Sequence, residues 1–324
     1  MALIVDVETD LKENDIEIAM ANEAGIDFIR RNGRTPADAI KNLSETGADA
    51  ALTSYTLFTR EVFEACPNLK VVSRTGVGYD EIDVEAATEH GVAVCNVPGY
   101  ANEAVSDHAI ALAMASLRRI NESDANLRKG IWGYQQVLPL GQAQGRTFGV
   151  IGMGAIGRTV ALKAKGLGFR VVCWSRSGRP QGANAEEYEW LELDQLVAQA
   201  DIISLHTALT PETKHLIDER RIKMMKPTAI VVNTARGKVV DTVALAKALT
   251  EGRIWGAGLD VFEQEQPFDF EHPIMKAPHT VLSSHAAFAS TESLIELRTR
   301  AMQACIDVCL GKIPVDCLNP EVFG

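Results

Sequence analysis

Three short segments of the 324-residue sequence carry side chains better suited to chemistry than to packing. Val232-Asn233-Thr234-Ala235-Arg236-Gly237 sets an arginine among small residues. Leu259-Asp260-Val261-Phe262-Glu263-Gln264-Glu265-Gln266-Pro267 sets acids in a loop, and Ser283-Ser284-His285-Ala286-Ala287-Phe288 sets a histidine after an apolar run. Each alone has a plain reading: an arginine paired with a surface acid, solvated loop acids, a structural histidine. Their order at three successive strand ends reads differently, because the carboxyl ends of parallel strands are where ligands bind. Arg236 supplies a fork that grips a carboxylate through two parallel N–H bonds. The loop acids supply a carboxylate, and His285 supplies a titratable acid/base.

A fourth segment completes the set. Phe148-Gly149-Val150-Ile151 has strand character and runs into Gly152-Met153-Gly154-Ala155-Ile156-Gly157, with a helical pattern (Val160, Ala161, Ala164, Leu167) behind it. In this G-x-G-x-x-G arrangement Gly152 permits the tight turn, Gly154 lets a pyrophosphate approach the backbone, and Gly157 lets helix and strand pack closely. The helix N-terminus offers N–H groups and a positive dipole end to phosphates. A dinucleotide site beside an anion clamp, a carboxylate and an acid/base has the parts needed to reduce a 2-oxo acid.

The type of dinucleotide is read about 20 residues further on, where NAD-specific sites hold an acid for the ribose hydroxyls. Here the second strand ends at Trp174 and the position holds Ser175, followed by Arg176, Ser177, Gly178 and Arg179. No carboxylate repels a 2′-phosphate, and Arg176 with the hydroxyls of Ser175 and Ser177 can donate to one. The expectation is NADP(H) preferred over NAD(H) by at least roughly tenfold, about 1.4 kcal/mol, with NAD(H) still usable.

Composition sets the outer bounds. The chain is 46% hydrophobic and 23% charged, with a net charge of −11 and a pI near 5.2. That balance argues against nucleic acid or an anionic membrane as the main partner. No apolar run approaches a membrane span, and the N-terminus, acidic from Asp6 and Glu8, has no basic secretion region, so a cytoplasmic protein is expected. Cys66, Cys95, Cys173, Cys305, Cys309 and Cys317 show no metal or redox spacing. They read as free thiols in a reducing cytosol, and no metal is expected.

The elements that must position these residues come in two alternating sets. Strand-like runs at 3–7, 48–52, 69–73 and 92–96 alternate with helical patterns such as 16–24 and 37–45, which implies a parallel sheet with helices on both faces. Pro98-Gly99 is a plausible hinge. Residues 101–119 form a helix apolar nearly all round, expected to be buried between domains or between subunits. The irregular stretch 131–146, with Trp132 and Pro139, suits an arm over a neighbouring subunit, and a homodimer is expected. A second set has strands at 148–151, 170–174, 202–205, 229–233, 256–259 and 280–283, the six of a full Rossmann domain. A final helix, 290–310, is expected to return to the first domain.

These motifs resemble the D-isomer-specific 2-hydroxyacid dehydrogenase family over nearly the whole length. The matching residues are Arg74-Thr75-Gly76-Val77-Gly78-Tyr79-Asp80, Asn96-Val97-Pro98, the Gly152–Gly157 turn, Asn233 to Gly237, Asp260 to Pro267, and His285 with its small neighbours. Tyr79-Asp80-Glu81-Ile82-Asp83 and His285-Ala286-Ala287-Phe288 look nearest to the branch of C-terminal-binding-protein-like and glyoxylate/hydroxypyruvate reductase-like sequences. The resemblance implies an α/β protein: a discontinuous, flavodoxin-like substrate domain (1–98 and 290–324) and a Rossmann NAD(P)-binding domain (99–289), with the site in the cleft between them.

By position it implies that Arg236 holds the substrate carboxylate and polarises its carbonyl. His285 would be the proton donor, and Glu265 would hydrogen-bond His285 and favour its charged form. Arg74 and the backbone N–H groups of Val77 and Gly78 would complete the carboxylate site. Cofactor contacts would fall on Gly152, Gly154, Ala155, Ile156, Gly157, Ser175, Arg176, Ser177, Thr207, Thr234, Ala235, Asp260 and Ala287, with Asp260 orienting the nicotinamide carboxamide. Two departures neighbour catalytic positions: Gln266 where the family usually has proline, and Ser284 for the common proline before the histidine.

The substrate would be a small 2-oxo acid such as glyoxylate or hydroxypyruvate. Tyr55, Phe58, Tyr100 and Phe288 could line a side-chain pocket or could serve the core. Thr53-Ser54-Tyr55-Thr56-Leu57 offers no cation for a phosphate, so 3-phosphohydroxypyruvate is expected to be a poor substrate. Two rivals share the fold: a nucleotide-sensing scaffold of corepressor type, and a formate- or phosphite-type dehydrogenase.

Overall fold

The computed structural model describes residues 1–8, 13–179, 188–265 and 267–324. The chain divides into two compact units, Met1–Tyr100 with Thr291–Gly324, and Ala101–Ser290.

The first unit alternates β1 (Leu3–Glu8), α1 (Asp15–Ala24), β2 (Asp27–Arg30), α2 (Pro36–Thr46), β3 (Ala50–Thr53), α3 (Arg60–Ala65), β4 (Val71–Arg74), α4 (Val84–Glu89) and β5 (Ala93–Cys95). All pairings are parallel, in the order β2-β1-β3-β4-β5, which is the flavodoxin-like order. Strands such as Ala50–Thr53 are short, continuous and buried throughout, as parallel strands covered on both faces must be. Local signals fix the helix starts: Thr35 caps α2 in a reciprocal capping box with Asp38, with Pro36 in its first turn. The C-terminal helix Thr291–Cys309 packs on α1, β3 and β4, and its Arg298 reaches the buried Glu17 at 2.6 Å.

The second unit begins with α5 (Asn102–Arg118) and α6 (Ile120–Arg128). It continues through β6 (Thr147–Ile151), α7 (Ala155–Gly166), β7 (Arg170–Trp174), β8 (Glu189–Trp190), α8 (Leu193–Gln199), β9 (Ile202–Leu205) and α9 (Glu219–Met224). It ends with β10 (Ile230–Asn233), α10 (Thr242–Thr250), β11 (Gly256–Leu259) and β12 (Thr280–Leu282). Its sheet is parallel, ordered β12-β11-β10-β9-β6-β7-β8. Counted from β6, that is the Rossmann order with one strand added after the sixth, and the order reverses between β6 and β9, where such sheets bind dinucleotides.

Two details differ from the sequence reading. The edge strands β2 and β8 were not anticipated. Helix α5 packs Val105, Ala109, Leu112, Ala113 and Leu117 inside the second unit, against α7, β10 and β11, while Glu103, Asp107 and Arg118 stay exposed. No helix among the described residues is long and apolar enough to cross a membrane.

Candidate active site

Three strand ends of the second unit are shaped by two buried side chains. Asn233 closes β10 and is fully buried. Its amide nitrogen donates to the Arg236 carbonyl at 2.9 Å and its oxygen accepts from Ala235 N–H at 3.0 Å, which folds the chain tightly around the arginine. Gly237 follows because the backbone there runs against the next loop: a Cβ would lie 1.9 Å from the Phe262 carbonyl carbon. Asp260 follows β11 and is also fully buried. It captures three successive N–H groups of the third segment: His285 on its carbonyl at 2.7 Å, Ala286 on Oδ1 at 2.9 Å and Ala287 on Oδ2 at 2.9 Å. The backbone of Asp260 donates to the Asn233 carbonyl at 3.0 Å, so the two anchors are joined.

His285 lies in the left-handed region, with φ of 52°, a conformation that costs a non-glycine residue of order 1 kcal/mol or more. The three bonds to Asp260 hold it there. Its Nδ1 lies 2.7 Å from Glu265 Oε2, while Glu265 Oε1 accepts the Phe262 N–H at 3.0 Å. The Glu265–His285 pair is therefore tied to both loops. Burial works to raise the Glu265 carboxyl, but the His285 hydrogen bond and charge, the Phe262 N–H and the Arg236 charge outweigh it and hold it below the usual carboxylate range. An ionised Glu265 keeps the proton on His285 Nδ1 and leaves Nε2 as the nitrogen for acid/base work. The His285 ring also meets Phe288 edge-on, at 6.1 Å between centroids. Gln266, one of the two noted departures, lies outside the described residues.

The residues assigned to the dinucleotide fit one. A Cβ on Gly157 would strike the Gly152 carbonyl oxygen at 1.9 Å, so helix and turn can meet only at glycine. Nothing among the described residues lies within 4 Å of a Cβ built on Gly154, the N-cap of α7, and no side chain caps that helix. Ala155 and Ile156 form its first turn. The buried hydroxyls of Thr207 and Thr234 have no hydrogen-bond partner among the described residues, and Ala235 lies in the turn that Asn233 folds. Next to Thr207 is a histidine that the sequence reading passed over. His206 is pushed down to about 3 by burial and is therefore neutral, its Nε2 2.8 Å from the Ser204 hydroxyl. Beyond β7 the Ser175 and Ser177 hydroxyls lie 3.1 Å apart. Arg176 is paired with Glu212 at 3.0 Å, a neighbour the sequence reading did not foresee.

In the first unit, Arg74 ends β4 and donates to the Thr75 carbonyl at 3.0 Å. The turn after it is held by Asn96, whose amide donates to the Val77 carbonyl at 2.7 Å, so Val77 and Gly78 sit in a fixed loop. Two guanidinium groups, those of Arg74 and Arg34, each lie 6.0 Å from the centroid of the Tyr55 ring. Arg34 lies outside the 53–57 segment, in the loop after β2, which is why the reading of 53–57 alone found no cation. Its charge is offset by Glu8 at 3.5 Å. Of the aromatic residues proposed for a pocket, Phe58 is a core residue, fully buried against Val62, Phe63 and Ile82.

The profile of the D-isomer specific 2-hydroxyacid dehydrogenase NAD binding domain matches residues 110–287. A glyoxylate reductase of Korarchaeum cryptofilum is 45% identical over 265 residues, covering 81% of this chain and 80% of that protein. A glyoxylate reductase of Thermococcus litoralis is 41% identical over 282 residues, covering 85% of each. Among solved structures, an acyclic imino acid reductase in complex with NADPH and D-Arg is similar at a TM-score of 0.85 and 29% identity, over 98% of this chain and 99% of that one.

Proposed function

The chain belongs to the D-isomer-specific 2-hydroxyacid dehydrogenase family and is an NAD(P)-dependent oxidoreductase, and on that premise we propose that it reduces a small 2-oxo acid, glyoxylate or hydroxypyruvate, with NADPH as the preferred donor. The observation that carries this reading is the 2.7 Å contact between Glu265 and His285 Nδ1, on loops locked to the Arg236 turn. The glyoxylate reductase relatives support the substrate class.

When bound, the dinucleotide supplies a hydride to the carbonyl carbon. Arg236 binds the substrate carboxylate and polarises the carbonyl; in the first unit, Arg74 and the N–H groups of Val77 and Gly78 are the groups suited to a carboxylate. His285 Nε2 delivers the proton to the carbonyl oxygen, and Glu265 steadies the imidazolium until then. Turnover of a panel of 2-oxo acids with both reduced cofactors tests this. No turnover of any 2-oxo acid, with dinucleotide binding retained, would favour the scaffold reading; oxidation of formate or phosphite would favour the other rival.

The cofactor preference rests on Ser175, where a carboxylate would repel a 2′-phosphate, and on Arg176. The Arg176–Glu212 pair is exposed on both sides, and water screens such pairs enough for a phosphate to displace the acid. NADPH should exceed NADH in kcat/KM by at least roughly tenfold. Arg176→Ala should weaken NADPH alone, Ser175→Asp should reverse the order, and Glu212→Gln should raise NADPH affinity. Equal kcat/KM for both cofactors would refute the preference.

The expected homodimer has a surface to suit it. Helix α6 buries none of its residues, and Ile120, Leu127, Trp132 and Tyr134 around it are exposed. A second copy of this chain covering that face would give twice the 35.1 kDa chain mass in solution, and Trp132→Glu should return it to one.

A further inference from the structure

Helix α5 places His108 beside the anchor of the His285 turn. His108 Nε2 lies 2.8 Å from the Ser283 hydroxyl and 3.5 Å from Asp260 Oδ1. The Ser283 hydroxyl in turn donates to Asp260 Oδ1 at 2.6 Å. We propose that His108, through Ser283, is a positioning residue that fixes the Asp260 carboxylate and thereby the left-handed turn that presents His285. The proposal rests on the assignment of His285 as proton donor.

The direction of each bond follows from chemistry. An ionised carboxylate only accepts, so Ser283 must give its one proton to Asp260. Its oxygen then has only acceptor capacity for His108, so Nε2 must carry a hydrogen. Both the neutral Nε2–H tautomer and the imidazolium satisfy this, so the relay needs no titration of His108. Oδ1 is also the atom that accepts Ala286 N–H at 2.9 Å. If the carboxylate rotates, the bonds to Ala286 and Ala287 are lost together, and of the three bonds to Asp260 only that of His285 N–H to its carbonyl remains to hold a φ of 52°. Ser283 thus couples a helix to a catalytic loop 175 positions away in sequence.

The experiment compares His108→Leu, His108→Gln, Ser283→Ala and the double variant His108→Leu/Ser283→Ala in steady-state reduction of the best 2-oxo acid. His108→Leu removes the donor and should lower kcat roughly three- to tenfold, the worth of one hydrogen bond, with KM for the oxo acid within about twofold. His108→Gln keeps an N–H donor at similar reach and should restore kcat to within about twofold. The double variant should be no worse than Ser283→Ala, because the two residues act through one bond. The solvent deuterium isotope effect on kcat should rise in His108→Leu and Ser283→Ala and return in His108→Gln, since a misplaced donor makes proton transfer slower, whereas simple loss of folded protein leaves that ratio unchanged. Wild-type kcat and isotope effect in His108→Leu, or His108→Gln as impaired as His108→Leu, overturns the relay. If His108→Leu does not fold, Ser283→Ala with an unchanged isotope effect does the same. His285→Ala is run alongside: if it keeps turnover, the proton-donor assignment has failed, not the relay.

Discussion

The carboxyl ends of the two parallel sheets treat buried polar groups in opposite ways. In the second unit, Asn233 and Asp260 are fully buried, and each side-chain oxygen of either residue accepts a backbone N–H. Each turns its hydrogen bonds into the shape of a loop that bears a reactive side chain. In the first unit the carboxyl-terminal halves of the strands hold Asp6, Thr53, Ser73 and Arg74. There the hydroxyls of Thr53 and Ser73 and the Nε of Arg74 have no hydrogen-bond partner among the described residues. Asp6 is 5% exposed, and burial pushes its carboxyl up to about 6 against the pull of Arg30 at 3.3 Å, with Glu17 adding to the rise. A buried group bonded by fixed backbone donors sets geometry. One held mainly by a side-chain cation leaves its protonation open to the solution pH.

The difference predicts where function breaks most sharply. His285→Ala should lower kcat for reduction by at least about a hundredfold, the usual worth of a general acid, with dinucleotide binding nearly unchanged. Near wild-type turnover would show that the locked turn serves some other end. Arg236→Lys keeps the charge but loses the planar fork, so KM for the oxo acid should rise and kcat fall by roughly tenfold or more in combination. A change confined to cofactor affinity would remove Arg236 from the substrate.

Glu265→Gln sharpens the same contrast through pH. The wild-type carboxyl is held low by His285 and Arg236 against its burial, so it is ionised across the neutral range. Its charge favours the imidazolium that reduction needs. The carboxylate stays ionised well into the acid range, so the ratio of wild-type to Glu265→Gln kcat should hold at roughly tenfold or more between pH 6 and 8. Equal kcat in the two proteins across that range would mean that Glu265 only packs against the ring.

The sequence displayed the reactive residues because each carries a local signature: glycines at fixed spacing, an arginine among small residues, a histidine after an apolar run. The main strands were legible for the same reason. The edge strands were not. Asp27–Arg30 has two apolar residues between two charges and Glu189–Trp190 is two residues long, so neither shows the continuous run of a strand covered on both faces. The positioning residues were hidden for a different reason. His108 and Ser283 are ordinary residues in their own segments, and only the packing of α5 on β10 and β11 brings them together. Arg34 reaches Tyr55 from the loop after an edge strand that had itself gone unread. The apolar character of α5 was plain, but an apolar helix does not say which surface buries it.

The smallest expected effect tests the other half of the contrast. The Asp6 carboxyl binds its proton more tightly in the folded chain, near pH 6, than the ordinary value of 3.8 that it takes when unfolded. The folded state therefore holds more protons between those values, and stability rises as pH falls through 6. Above that range the ionised, buried group is a cost to the first unit. Asp6→Asn cannot take up a proton, so it escapes the cost at pH 7.5 and misses the gain below it. Whatever the variant's stability relative to wild type at pH 7.5, including the loss of the Arg30 pair, that difference should move toward wild type by about 1 kcal/mol at pH 5.5. Urea denaturation of both proteins at the two pH values, followed by a probe of the first unit, measures it. A difference that stays constant between pH 7.5 and 5.5 would mean that Asp6 is held as firmly as Asp260, and the contrast between the two sheet ends would fail at this residue.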